Sequence, residues 1–245
     1  MAKHPDLFFD QSKLDSVVKS RVRWKTTYRL QSDRHPPIAF FERIADKGDH
    51  PVLDDLEKLT NRAARQTAGK LSRVPATKCV FGKGASGVMA PFVYASKDNP
   101  SRFTHGSYGV YYAGRKFETA LREVAFHRAR FHSRTKDRPA RTGFKTITAA
   151  VDKPLHDLRK GVWTELLDPD PARYAAPQVL GAQLREAKSH GIVYPSVRHS
   201  GGECIGAFWP NILSGIAEGK HIALKWDGKN ITAWFDYELG EWSDL

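Results

Sequence analysis

Apolar and polar positions change period several times along the chain, and the sharpest change falls between Ser101 and Phe131. Gly109 to Ala113 (GVYYA) is β-branched and aromatic and lies between Gly106 and Gly114, which predicts a short strand. Beyond it Phe117, Ala120, Leu121, Val124 and Phe131 recur at helical spacing without proline or interior glycine, which predicts a helix from Lys116 to about Phe131 with one buried face. Thr119, Glu123 and His127 stand four apart and form a polar stripe beside Ala120 and Phe126, so Glu123 is expected at a core edge, facing a cleft. Glu118 and Arg122 read as a solvated pair on the outer side.

The other elements follow from the same rules. Thr26 to Leu30 (TTYRL) is strand-like. Phe40 to Lys47 and Val52 to Gln66 read as helices, the second on the spacing of Leu53, Leu56 and Leu59, with Lys58, Arg62, Arg65, Lys70 and Arg73 as a solvated basic face. Thr142 to Val151 alternates as a strand does. Pro177 to His190 is helical and stopped by Gly191, Ile192 to Tyr194 is extended, and Pro195 and Ser196 turn the chain. Glu203 to Trp209, His221 to Trp226 and Asn230 to Tyr237 complete the strands. The pattern predicts an α+β fold: a single domain with a mixed, mostly antiparallel sheet flanked by helices. Residues 1–22 form an N-terminal extension, 23–245 the domain, and about 40–95 a helical and loop insertion within it.

Phe81 to Gly87 (FGKGASG) holds a G-x-G-x-x-G after a strand-like Lys78 to Phe81. A dinucleotide fingerprint needs a helix opening on those glycines, whereas Val88 to Tyr94 carries Pro91 and β-branched residues. The expectation is a flexible glycine loop.

Composition narrows the class. The chain of 245 residues is 40% hydrophobic and 27% charged, as in soluble globular proteins, and no apolar run approaches the ~20 residues of a membrane span. The first residues lack the apolar core of a secretory signal, and Cys79 and Cys204 are far apart in apolar settings, which predicts reduced thiols and a cytoplasmic protein. Scattered histidines and the absence of HExxH or paired cysteines argue against a metal site. Ser196 stands in YPSVR rather than a nucleophile elbow, which argues against acyl transfer. The net charge of +12 favours phosphates, nucleic acid or an acidic partner.

An arginine-aromatic pair at Arg102 and Phe103, a glycine turn, a strand carrying Tyr112 and a helix with Thr119, Ala120 and Glu123 together resemble the RES domain, as do Arg29 in TTYRL, Ser196 in GIVYPSVR and the CIGAFWP stretch of 204–210. The resemblance implies an ADP-ribosyltransferase-like fold and an NAD-consuming toxin of a toxin-antitoxin system, with Arg29, Glu123 and Ser196 as the arginine, glutamate and serine that name the family. NAD is then a substrate, and the enzyme a glycohydrolase, phosphorylase or ADP-ribosyltransferase that passes ADP-ribose to water, phosphate or a protein. The chemistry suits these residues. A carboxylate at Glu123 stabilises the oxocarbenium-like centre left when nicotinamide departs. Arg29 and Arg102 offer forks for a diphosphate, Tyr112 a π-face for a cationic ring, and Ser196 a hydrogen bond to ribose or carboxamide, with Phe208 and Trp209 expected to wall the pocket. His127, one turn beyond Glu123, is placed either to orient that carboxylate or as a satisfied core-edge histidine. The resemblance also implies a helix-turn-helix (Xre-type) antitoxin that inserts a segment into the pocket, and leaves room for a protein target and for a homo-oligomer. A rival reading is a basic nucleic-acid-binding module without catalysis, with Arg102, Lys116, Arg122, Arg128 and Arg130 on phosphates.

Overall fold

The structure is a computed structural model and describes residues 16–33, 41–42 and 71–245. Among them eight strands form one mixed sheet and three longer helices lie on it. The strands are β1 (Lys19–Ser32), β2 (Tyr111–Gly114), β3 (Ala140–Asp157), β4 (Gly191–Pro195), β5 (Glu203–Ala207), β6 (Leu213–Trp226), β7 (Ile231–Asp236) and β8 (Glu241–Asp244). The helices are α1 (Ala85–Val93), α2 (Phe117–Thr135) and α3 (Ala175–Glu186). All pairings are antiparallel except β3 with β4, so the expected α+β fold with a mostly antiparallel sheet is what the chain adopts.

The sheet folds back on itself. β3 pairs with β1 along Lys19↔His156 to Ser32↔Phe144 and with β6 on its other edge, then leaves β6 to meet β4 at His156↔Ile192 and Asp157↔Val193. From β4 the order runs through β5 and β2 back to β1, which β2 touches at Tyr28↔Gly114. The strands β1, β3, β4, β5 and β2 thus close a ring, and β6, β7 and β8 extend from it as an open wing.

Each helix covers its own apolar cluster. Val88, Met89 and Phe92 of α1 pack on Ile147, Val151 and Leu155 of β3. Leu180 and Leu184 of α3 meet Phe103 and Phe208. Leu121 and Ala125 of α2 lie over Leu30, Phe144, Ile222 and Trp226. Full burial of such side chains contributes about 1.5–3 kcal/mol apiece. Phe131, expected on the buried face of α2, is instead 45% exposed, and in the last turns of the helix it is His132, 2% exposed and stacked on Trp226, that faces the sheet.

Several boundaries differ from the sequence expectation. β1 begins at Lys19, so residues 19–22 belong to the sheet rather than to an extension. β8 was hidden because all its residues are exposed and carry no alternation. Pro195 ends β4, paired with Glu203, and the turn starts only at Ser196. The helices expected over 40–47 and 52–66, with Lys58, Arg62, Arg65 and Lys70, lie outside the described residues apart from Phe41 and Glu42.

The glycine-rich stretch is a turn only as far as Gly84, and from Ala85 it is helix. Gly84, at φ 81°, caps α1, and Pro91 sits inside the helix, where burial of Val88, Met89 and Phe92 outweighs the lost backbone bond. The third glycine of the motif is there for packing: a Cβ on Gly87 would stand 2.6 Å from Ile147 Cδ1. No dinucleotide fingerprint results even so, because single turns at Leu71–Arg73 and Ala76–Lys78 replace the preceding strand, and a Cβ on Gly84 would meet Ile216 at 3.0 Å, leaving no approach for a pyrophosphate.

An ion network ties the ring closed where β3 leaves β6. Arg159 grips Asp157 with Nε and Nη2 at 2.9 and 2.8 Å and reaches Glu203 with Nη1 at 2.7 Å, and Arg115 takes the other oxygen of Glu203. Burial alone would raise the Asp157 carboxyl, but hydrogen bonds from Arg159 and Ser20 and the guanidinium charge outweigh it and hold its pKa at about 2. A depressed carboxylate stabilises the fold fully above the unfolded value near 4, and that contribution is lost as pH falls through about 2. Asp157→Asn is therefore expected to cost about 2 kcal/mol at pH 7, short of the ~3–5 kcal/mol of a fully buried pair because Arg159 is 26% exposed, and to flatten the acid limb below pH ~4. Urea unfolding across pH checks both; an unchanged midpoint at pH 7 would remove the network from the account of stability.

Candidate functional site

The ring of strands and α2 leave a cleft between them with two joined lobes. The inner lobe, about 280 Å³, is lined by Tyr28 and Arg29 of β1, Tyr112 and Gly114 of β2, Glu123 and His127 of α2, and by Arg102, Tyr174, Tyr194 and Cys204. The outer lobe, about 680 Å³, shares Arg29, Tyr112 and His127 with it and continues past Gln31, Tyr94 and Phe131.

Gly114 sets the position of α2. A Cβ there would stand 2.7 Å from the Ala120 amide nitrogen, so the bare backbone lets the first turn of the helix press onto β2. Glu123, one turn on, then faces the inner lobe with His127, as the polar stripe predicted, while Thr119 is fully buried. Glu118 and Arg122 form the expected exposed pair, at 3.1 Å.

Glu123 meets Ser196 directly. Ser196 Oγ donates to Glu123 Oε1 at 2.6 Å while accepting from the backbone amides of Arg198 and His199, both at 3.1 Å. Residues 196–202 form a closed turn, bonded from Ser196 N to Gly202 O and from Gly202 N to His199 O. Two side chains hold this turn to α2: His199 Nδ1 lies 2.9 Å from Thr119 Oγ1, and the Arg198 guanidinium lies 3.3 Å from the centre of the Phe126 ring. The serine orients the carboxylate, and the turn orients the serine.

Arg29 is buried. Its Nη1 donates to Tyr112 O at 3.1 Å, its Nε has no hydrogen-bond partner among the described residues, and it lies 5.3 Å from the Tyr111 ring centre. Burial lowers its pKa, with Tyr111 and Tyr112 opposing. Arg102 is 6% exposed and donates to the carbonyls of Leu166 and Asp168, both at 2.9 Å, and to Tyr174 Oη at 3.3 Å, with its charge over the Tyr174 ring at 4.5 Å. Neither guanidinium has a carboxylate partner among the described residues, and Glu123 has no cationic one.

Other predicted residues are placed differently. Tyr112 lines both lobes, but its hydroxyl is committed to the Phe103 amide and to Ser101 Oγ, each at 2.9 Å, and burial lifts its pKa to about 12. Trp209 does not line the cleft. Its indole donates to Ser189 O at 2.8 Å under the Arg185 guanidinium, 3.9 Å from its ring, and Phe208 is a core side chain against Tyr108. The reason is strand length: β5 lines the cleft only at Cys204, and at about 3.3 Å per residue Trp209, five residues on, is carried well beyond it.

The sequence reading missed Tyr28, Tyr174, Tyr194 and Cys204. Tyr194 had a signal, since it stands two residues before Ser196 and so on the same face of an extended segment. Burial, with Cys204 and Glu123 adding, raises its hydroxyl well above the ordinary value. Burial and Glu123 likewise raise the Cys204 thiol, whose Sγ lies 4.0 Å from Glu123 Oε1, so it is a neutral wall and not a nucleophile. Tyr174 precedes α3 in a stretch without periodicity. Among the described residues no group of His, Cys, Asp and Glu could hold a metal ion, and no helix is long and apolar enough to cross a membrane.

The sequence pattern of the RES domain matches residues 71–227, well over half of the chain. The protein belongs to the RES domain family. Arg102, Tyr112, Glu123 and Ser196 fall inside the matched span, and Arg29 precedes it on a strand that reaches the same cleft. The chain is 24% identical to the uncharacterized protein y4oC of Sinorhizobium fredii over 211 residues, 86% of this chain and 87% of that one. A chain of the crystal structure of the M. tuberculosis MbcT-MbcA toxin-antitoxin complex matches with a TM-score of 0.42 and 14% identity, over 89% of this chain and 91% of that one. For this RES domain protein the nucleic-acid reading loses two of its cations: Arg102 is buried, and Arg122 is engaged by Glu118.

His127 supplies a test of the site's electrostatics. Its side chain is exposed at the mouth of the cleft; desolvation by the walls around the ring, and then the guanidiniums of Arg198, Arg130 and Arg102, lower its pKa to about 4. Proton NMR titration is expected to show a His127 midpoint near pH 4, moving up in Arg198→Leu. A midpoint near the ordinary ~6.5 would mean that the lobe is open to solvent and its cations remote.

Proposed function

We propose that this RES domain protein cleaves the bond between nicotinamide and ribose in NAD. The observation that carries the reading is charge left uncompensated inside one cleft: Glu123 lacks a cation, and Arg29 and Arg102 lack a carboxylate, among the described residues. Buried charges without partners are costly, so a ligand is expected to supply both signs. NAD does so, with a cationic nicotinamide riboside at one end and an anionic diphosphate in the middle.

In this reading the nicotinamide riboside enters the inner lobe and the diphosphate passes Arg29, whose unpaired Nε is a ready donor. The C1′–N bond breaks with its electron pair passing to the ring nitrogen, which neutralises the pyridinium. The positive charge left on C1′ and the ring oxygen is stabilised by the Glu123 carboxylate. Ser196 holds Oε1 fixed, so the carboxylate is oriented before the reaction and needs no reorganisation during it. An acceptor oxygen from water, phosphate or a protein side chain then bonds to C1′, and its proton is released to Glu123 or solvent. Tyr28 and Tyr194 exclude bulk water from the inner lobe, which strengthens each of these interactions.

The role as a toxin restrained by an antitoxin follows from the family resemblance together with charge. An outer lobe lined by Arg128 in a chain of net charge +12 suits an inhibitory segment with acidic residues.

Nicotinamide release from NAD by the purified protein, with and without phosphate, tests the reading. Glu123→Gln is expected to lower kcat by at least ~100-fold with KM little changed, and Ser196→Ala by roughly 10-fold because the carboxylate survives but loses its support. Full activity in Glu123→Gln would remove that residue from the chemistry, and absence of release from folded wild-type protein in all conditions would end the NAD reading.

A further inference from the structure

Away from the cleft, β1 opens on a second pattern, with Lys19, Arg21, Arg23 and Lys25 at every second position. All four are exposed, while Val22 and Trp24 between them are buried, so the burial of those two side chains fixes the cations on one outward face. Pairing with β3, residue by residue from Lys19↔His156 to Trp24↔Val151, holds the row rigid. At about 3.3 Å per residue the cations stand about 6.6 Å apart along about 20 Å of strand.

Little negative charge answers the row. The β3 residues opposite it on that face are Asp152, Pro154 and His156, a single acid. Asp152 takes Arg21 Nε at 2.6 Å and Arg23 Nε at 3.7 Å, and with all three side chains more than half exposed this sharing is weak. Other cations add to the field: burial lowers the His190 pKa, a hydrogen bond with the Pro154 carbonyl opposes it, and the charges of Lys153, Lys78 and Lys19 lower it further. Like charges held this close repel one another, a cost that an anionic partner removes.

The surroundings of the row choose among anions. A protein interface buries an apolar core, and the exposed apolar residues beside the row among those described are Val18 and Pro154. Single-stranded nucleic acid is held by stacking on aromatic rings, and of the exposed rings Tyr94, Phe131, Tyr237 and Trp242 none belongs to β1 or β3. Duplex RNA is read through 2′-hydroxyls, which call for acceptors as well as donors, and the four side chains are donors alone. The backbone of duplex DNA asks only for cations. We infer that this face of β1 binds the phosphates of double-stranded DNA without reading their sequence. None of the four cations lines the cleft, so the protein can rest on a duplex with its site open, whatever the site's substrate.

Fluorescence anisotropy of a labelled, mixed-sequence DNA duplex, titrated with the full chain across a range of salt, tests the inference. Wild type is expected to bind with log K falling linearly in log salt. Arg23→Gln combined with Lys25→Gln is expected to weaken binding at least ~10-fold near ~0.1 M salt and to reduce that slope by about 2. Arg134→Gln combined with Arg138→Gln removes the same charge from exposed side chains at the end of α2 and is expected to change neither. Urea midpoints check that both doubles fold; should the first fail, Lys19→Gln takes its place, with a slope reduced by about 1. Three results overturn the inference: no binding by wild type at low salt, an equal loss in the two doubles, or tighter binding of single-stranded DNA, duplex RNA or polyglutamate than of duplex DNA.

Discussion

The bare backbone of Gly114 is the point at which this molecule is fixed. Gly114 pairs with Tyr28 on one side and Cys204 on the other, so it joins β1 to β5 and closes the ring of strands. The same residue admits the first turn of α2, with Ala120 N where a Cβ would otherwise approach to 2.7 Å. Any side chain at this position would push the helix outward and carry Glu123 away from Ser196. The link from backbone to chemistry is therefore short: one glycine, one helical turn, one carboxylate.

Around that point the site is built by rigid supports rather than by the reactive groups themselves. Ser196 would be an ordinary turn residue but for the amides of Arg198 and His199, which fix its lone pairs and leave its proton for Glu123. The turn in its turn depends on Thr119 and Phe126, which flank Glu123 on the same helix. Arg102, expected to grip a ligand, spends its Nη1 on two backbone carbonyls and so anchors the segment before α3 to the cleft wall. It remains a fixed positive charge in the cleft wall, and Arg29, with an unpaired Nε, is the guanidinium that retains a free donor.

What was legible in the sequence was whatever has a period. The strand at Tyr112, α2 with its polar stripe, β3 and β4 all followed from alternation or helical spacing, and those elements bring Glu123 and Tyr112 to one cleft and Ser196 against Glu123. What was not legible depends on contacts without a local signature. Pro91 and three glycines argued for a loop at 82–87, and tertiary burial of Val88, Met89 and Phe92 made a helix instead. Trp209 was drawn to the site by its place after β5, and only the register of β5 against β2 and β4 shows that the strand has left the cleft by then. β8 has no inward face to alternate.

The division of the cleft explains why a basic protein would keep a single acidic residue at its centre. Desolvation by the cleft walls lowers the pKa of His127 most, and the cations Arg198, Arg130 and Arg102 lower it further. In the proposed reaction, a protonated His127 would add positive charge to the lobe that Glu123 lines, where the oxocarbenium-like centre needs a negative one. Excess arginine around the site thus has two effects that reinforce each other: it attracts an anionic ligand, and it helps to keep a proton off His127. The surplus of positive charge, read from composition alone as a general affinity for anions, acts here at one side chain.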